Sequence, residues 1–184
     1  VDQINEDAFA KHVEATNEPV KFYHATYGGN DIGSRAFLAS SKVPASVKLC
    51  IGAQVVVTWN VNQATGIVNG TRATVSSMGD TGVVIKLKNG AEYPIEMITI
   101  KGSCSTVSIS YLPIRLAYAI TIHRAQGMTL DSVIVDLSKV FESGQAYTAI
   151  SRVRDRNSIT VTGVKKASFK LHPQVLAFYE SLKD

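Results

Sequence analysis

The residues best suited to chemistry lie between positions 116 and 154, in LAYAITIHRAQGMTLDSVIVDLSKVFESGQAYTAISRVR. His123, Arg124 and Gln126 follow one apolar run, and Arg152 and Arg154 close the stretch. Guanidinium groups donate to anions in a fixed fork, an amide both donates and accepts, and an imidazole can also carry a proton. A general-base role for His123 is chemically open. The elements that must position these groups follow from the pattern. Apolar runs at 116–122 and 133–137 read as buried strands, with polar residues collecting where each leaves the sheet. In open α/β sheets the crevice outside the carboxyl ends of the strands is where a ligand site is built. Residues 145–150 read as a helix with Ser143 as N-cap, ended by 151–154. Two residues apart on a helix point to nearly opposite sides, so only one of Arg152 and Arg154 is expected to work on a given ligand.

TIHRAQGMTLDSVIVDL resembles motif V of superfamily 1 helicases, and GQAYTAISRVR resembles motif VI. The wording of both is closest to the RecD and Pif branch, whose members move 5′ to 3′ on single-stranded DNA. The pair in this order is more specific than either motif alone, and a weaker similarity extends over most of the chain. The resemblance implies a partial RecA-like α/β motor domain and assigns roles to particular residues. Arg152 matches the motif VI arginine that reaches the γ-phosphate as an arginine finger. Thr121, His123 and Arg124 match positions that face the single strand, where they would hold phosphate oxygens without reading bases. It argues against His123 as a base. Gln126 and Gly127 fall where motif V meets the nucleotide cleft, and Gly127 is expected to end a short helical turn in a backbone shape that a Cβ would oppose. The sequence departs from many Pif members at Arg124 and Ala125, where they have Lys and Ser; RecD-type sequences share the variation.

The remaining residues set bounds. A chain of 184 residues with 45% apolar content can bury the core of one domain, or of one domain carrying a small inserted one. A net charge of +4 suits a phosphate-bearing partner, but such a charge is common without one. Cys50 and Cys104 form no C-x-x-C pair and no His cluster accompanies them, so neither a metal site nor a disulfide is expected, and both read as small buried thiols. No apolar run is long enough to span a bilayer and no signal-type start is visible, which predicts a soluble intracellular protein with no membrane partner. It would be cytoplasmic in a bacterium, archaeon or virus, and nuclear or mitochondrial in a eukaryote.

Along the chain, residues 1–16 carry apolar side chains at helical spacing. In the family the corresponding helix follows a strand that supplies another ATP-facing arginine; that strand is absent here, so the motor domain is expected to lack its first strand and the numbering to begin inside a domain. FYHATYGGND reads as a short strand running into a Gly-Gly turn, and SSKVPASVKL as a polar connection with a boundary at 44–48. His12 and His24, without catalytic partners nearby, read as surface or satisfied core residues. From Gly52 the period becomes that of strands: 53–59, 71–78, 81–87, 92–100 and 105–111, punctuated by NG, MGDTG and NG. These predict a small closed antiparallel barrel. Its place between the first helix and the motif stretch makes it an insertion, giving 1–48 and 113–184 as one domain and 49–112 as the inserted one. The resemblance agrees, since RecD and Pif-type helicases carry a Src-homology-three-like barrel, domain 2B, inside motor domain 2A. Trp59, Asn60, Asn69 and Arg72 are the barrel's candidate contacts to DNA, because single strands are held by basic grooves with aromatic platforms. Against this, the lone Trp of a small barrel more often packs. Residues 158–164 read as a further strand, and 173–182 as a closing helix with Pro in its first turn.

No G-x-x-x-x-G-K-[ST] occurs, so nothing in this sequence cradles the β- and γ-phosphates or places a Mg²⁺ ligand. The expectation is the C-terminal part of an ATP-dependent DNA helicase. ATP with Mg²⁺ would be its cofactor, and single-stranded DNA and a P-loop-bearing first motor domain its partners. Two alternatives share these features: part of a viral RNA helicase of the same superfamily, and a non-catalytic nucleic-acid-binding module.

Overall fold

In the computed structural model, residues 1–29, 43–102 and 107–182 are described. They divide into two compact units, 1–119 and 120–184. The first unit opens with helix α1 (Asp2–Thr16), which ends where Asn17 turns left-handed at φ 54° and donates its N–H to the Val13 carbonyl. Two strands, β1 (Lys21–His24) and β2 (Thr26–Gly28), follow in place of the single strand expected. The supposed polar connection at 44–48 is largely strand β3 (Ser46–Leu49), paired antiparallel with β1. Its alternation puts Val47 and Leu49 inside, and burial of those two side chains outweighs the linker-like polarity of the residues before them.

Strands β4 (Gln54–Val57), β5 (Arg72–Met78), β6 (Gly82–Lys86), β7 (Glu92–Glu96) and β10 (Ile114–Leu116) form one antiparallel sheet in the order β10-β4-β5-β6-β7. The fifth strand returns beside the first. Inward residues Val55, Val57, Val75, Val83, Ile85, Ile95 and Ile114 are buried, as the period-two pattern requires. Three expectations change here. The run 92–100 breaks at Met97, so that β8 (Ile98–Lys101) leaves for a second sheet with β9 (Ser108–Tyr111) and β2. The fifth strand of the main sheet is therefore 114–116, not 105–111. Among the described residues the ladder is open between β7 and β10, not closed. Edge strand β7 reads Glu-Tyr-Pro-Ile-Glu, and proline with flanking charge discourages pairing along an open edge.

Cys50 is fully buried in the core of this unit, together with Phe9 of α1, Tyr23 of β1 and Leu49 of β3. Cys104 lies outside the described residues. His12 meets the Ile51 carbonyl at 3.1 Å through Nε2, and His24 stacks on Phe22.

The second unit is built on β11 (Val133–Asp136) and β12 (Ile159–Thr162), a parallel pair joined through helix α2 (Gln145–Ile150). Parallel strands require such a crossover. Ala146 and Ala149 on the buried face of α2 pack with Val135 and Leu137, and their small side chains allow a close approach. Helix α3 (Pro173–Ser181) begins at Pro173 as expected, with its cap nitrogen at His172. No helix among the described residues is long and apolar enough to cross a membrane.

Candidate functional site

The strand expected at 116–122 is short. Residues Ile114 to Leu116 pair with β4, and the Ala117 N–H continues that register to the Gln54 carbonyl at 2.9 Å; there the ladder stops, and the Arg72 guanidinium donates to the Ala117 carbonyl at 3.3 Å. Residues 117–122 therefore run as irregular chain into a 3₁₀ turn, His123–Ala125. Thr121, His123, Arg124, Gln126 and Gly127 are exposed around that turn, and Ala125 is its buried anchor. The Ala125 N–H bonds back to Thr121 and Ile122, and Thr121 Oγ1 accepts from the Arg124 N–H at 3.4 Å. Gly127 has φ +76°, as its place after the turn implied. An added Cβ would meet no atom within 4 Å, so the preference for glycine is one of backbone conformation alone.

The second cluster departs from expectation at both ends. The N-cap of α2 is Gly144, φ 76°, and not Ser143. The Thr148 N–H donates to the Gly144 carbonyl at 2.9 Å, and Gln145 Oε1 accepts from the N–H groups of Phe141 and Glu142 at 3.1 and 3.4 Å. Gln145 thus braces the loop that leads into α2, and no side chain caps the helix's first turn. The helix stops at Ile150, so Arg152 and Arg154 lie outside it and the opposite-faces argument does not apply to them. Arg152 folds back instead: Nε donates to the Thr148 carbonyl at 2.9 Å, and Nη2 donates to Ser151 Oγ at 2.8 Å. A basic side chain here satisfies a carbonyl that the helix end leaves open. Its own carbonyl accepts from the Leu130 N–H at 2.8 Å, and Val153 bridges Leu130 in parallel, tying the two motif segments together.

These segments also meet at a small hollow lined by Ile122, His123, Gln126, Glu142, Gly144 and Thr148, with Gln145 and Ser143 alongside. His123 Nε2 lies 3.0 Å from Glu142 Oε2, both side chains half exposed, and the His123 ring sits 6.4 Å from that of Phe141. Glu142, Gln145 and Thr148 were missed as site residues. Only Gln145 left a local trace, a long amide at the first turn of a helix; Glu142 reaches His123 through the fold of the loop. The donors at the hollow could line one wall of a nucleotide cleft. Among the described residues no group of three or more His, Cys, Asp or Glu side chains could hold a metal ion.

The barrel candidates cluster at the β4–β5 connection. Trp59 is 47% exposed, so it does not pack as a lone barrel tryptophan usually does. Asn60 Oδ1 accepts from the Asn69 N–H at 2.9 Å, and an Asn62–Ile67 bridge braces the loop between them. Arg72 is engaged with Ala117, as above. These four are brought to one loop and the strand it enters; Thr121, His123 and Gln126 belong to the other unit.

The family model described as DNA helicase Pif1, 2B domain, matches residues 37–78. ATP-dependent DNA helicase PIF1 of Danio rerio is 38% identical over 152 residues, covering 79% of this chain and 24% of that protein. ATP-dependent DNA helicase Pif1 of Bdellovibrio bacteriovorus is 30% identical over 186 residues, covering 98% of this chain and 42% of that protein. The crystal structure of a Bacteroides Pif1 in complex with ADP-AlF3 and ssDNA superposes with a TM-score of 0.76 at 24% identity, over 99% of this chain and 42% of that one. The chain thus spans less than half the length of the relatives it matches. By sequence and fold together, it belongs to the Pif1 family of superfamily 1 helicases and carries that family's 2B-domain region with a flanking portion of 2A.

Proposed function

We propose that this chain is the C-terminal part of an ATP-dependent 5′-to-3′ DNA helicase. Thr121, His123 and Arg124 grip single-stranded DNA, Gln126 and Gly127 edge the nucleotide cleft, and Arg152 is the arginine finger. A first motor domain with a P-loop completes the ATP site. The observation that carries the reading is the meeting of the two motif segments, residues 122–126 with 142–148 at one hollow and Leu130 with Arg152 and Val153 by backbone pairing. Single-stranded DNA and ATP are proposed as ligands by analogy with the Bacteroides relative, which was crystallised with ssDNA and ADP-AlF3. The domain division 1–48 with 113–184, and 49–112 as an inserted barrel, belongs to the same proposal, as do Trp59, Asn60, Asn69 and Arg72 as strand contacts on the barrel.

Arg124 supplies the test. Arg124→Ala should weaken oligonucleotide binding to a similar extent across base compositions, and should lower the slope of log affinity against log salt by about 0.7, the contribution of one phosphate on a single strand. A loss confined to particular bases would point to base readout. Matched DNA and RNA strands decide the substrate, since dependence on the 2′-OH would favour an RNA motor.

A further inference from the structure

Asn5 is one of two buried polar residues among those described, 7% exposed on the inner face of α1. Its amide makes two hydrogen bonds to a single residue far along the chain: Nδ2 donates to the Ala119 carbonyl at 3.0 Å, and Oδ1 accepts from the Ala119 N–H at 2.8 Å. The side chain acts there as an extra peptide unit, pairing both backbone groups of one residue as a neighbouring strand would. Because the partners are a fixed N–H and a fixed carbonyl, the orientation of the amide is determined. Ala119 is the last residue of the first unit, and Thr121 comes two residues later.

The contact is the last of a series. After β10 ends at Leu116, the Ala117 N–H is held by the Gln54 carbonyl and the Ala117 carbonyl by Arg72. The His12 ring, two turns along α1 from Asn5, sits 6.2 Å from that of Tyr118. The ladder with β4 thus makes its last bond at Ala117, side chains hold the residues after it, and Asn5 makes the fastening nearest the motif V turn. An apolar residue at position 5 would bury as well but would leave both Ala119 groups without these partners.

We infer that Asn5 is a positioning residue for the DNA grip: its clasp fixes both backbone groups of Ala119, two residues before Thr121, and so steadies the start of the segment that carries Thr121 and Arg124. This inference rests on the proposed role of those residues. Asn5 touches no ligand itself. Its effect is transmitted through the backbone, and a local network of this kind modulates a distant site by roughly two- to thirtyfold in affinity.

The test uses the 184-residue chain and labelled oligothymidylate. Asn5→Asp keeps the acceptor for the Ala119 N–H and removes the donor to its carbonyl; Phe9→Leu loosens the packing of the same helix while leaving the clasp intact. Asn5→Asp should speed amide exchange from Ala119 to Ala125 and weaken binding several-fold, and its loss should not add in full to that of Arg124→Ala. Phe9→Leu should lower the melting temperature without a matching loss of affinity. Unchanged binding by Asn5→Asp, full additivity with Arg124→Ala, or an equal loss in Phe9→Leu at the same melting temperature would overturn the inference. If Arg124→Ala has no effect while Asn5→Asp still weakens binding, the assignment of Arg124 falls and the clasp stands. If neither variant has an effect, both fall.

Discussion

Arg152 holds two positions at once, cap of its own helix and candidate finger. The hydrogen bond from its Nε to Thr148 stabilises the last turn of α2, so reaching a γ-phosphate requires that bond to be exchanged for a stronger, charge-assisted one. In the complete polypeptide, Arg152→Ala should lower kcat by roughly 10³ or more, about 4 kcal/mol of transition-state stabilisation, with a much smaller change in nucleotide Kd. Arg154→Ala, at an exposed position that the motif resemblance does not assign to the phosphate, should lower kcat much less. Since neither arginine is helical, turnover, nucleotide Kd and melting temperature for both variants must separate them. Equal turnover losses, or a larger one at Arg154, would move the finger to the other residue. Glu142 raises a second question at this scale. Its carboxylate lies against His123, a residue proposed to face phosphate, and a negative charge there opposes an anionic strand. Glu142→Gln keeps the shape and removes the charge, so it should tighten oligonucleotide binding by roughly two- to fivefold at low salt, fading as salt screens the pair. Titrations at two ionic strengths would check this; weaker binding would mean that Glu142 serves to orient the imidazole.

At the scale of elements, the five-stranded sheet depends on one close approach. A Cβ on Gly82 would run into the backbone oxygen of Ile95 and come within 3.1 Å of the Glu96 Cα, so β6 and β7 meet at Gly82 only because that residue is glycine. Tyr23 adds a tie from β1 across the same turn, its hydroxyl donating to the Gly79 carbonyl at 2.8 Å, and burial pushes its phenol pKa up. Gly82→Ala should cost roughly 1–3 kcal/mol by forcing the strands apart. The loss is measurable as a lower urea midpoint with an unchanged m-value. No loss would mean that β7 shifts freely, as an edge strand with proline at its centre could. Helix α2 shows how a short element is made sufficient: six residues, two buried alanines, a glycine cap, a glutamine reaching back and an arginine folding over its end.

For the molecule as a whole, the decisive feature is what two segments supply and what neither does. The donors proposed for the strand and for the nucleotide edge lie in this chain, but a P-loop does not occur in its sequence, and no described cluster could hold a metal ion. The purified chain should therefore show no appreciable ATP turnover, with or without oligothymidylate, while a polypeptide that also contains the P-loop domain should hydrolyse ATP. Steady-state phosphate release from both would test this, and robust turnover by the chain alone would refute the division of labour. Oligonucleotide binding by the same chain should survive, because the proposed grip lies wholly within it.

Sequence by itself determined the elements that local pattern and covalent geometry control. Helix α1, the strands β4 to β6 and β12, and Pro173 at the start of α3 are where periodicity and turn residues put them, and Gly127 has the positive φ that its place after a short turn demanded. The motif wording likewise carries the resemblance to the family to which the chain belongs. Tertiary structure decided everything that depends on which backbone groups find partners at a distance. Ala117 and Ala119 look like continuing strand, yet Arg72 takes the Ala117 carbonyl and Asn5 takes both backbone groups of Ala119, so the pairing with β4 goes no further. Ser46–Leu49 looks like a connection, yet Val47 and Leu49 gain a core and it becomes a strand. Glu142 meets His123, and Arg152 returns to Thr148, because the fold closes loops whose ends no local period relates. Local propensity settles a residue's conformation only until a buried partner for its backbone, or a cavity for its side chain, offers more free energy.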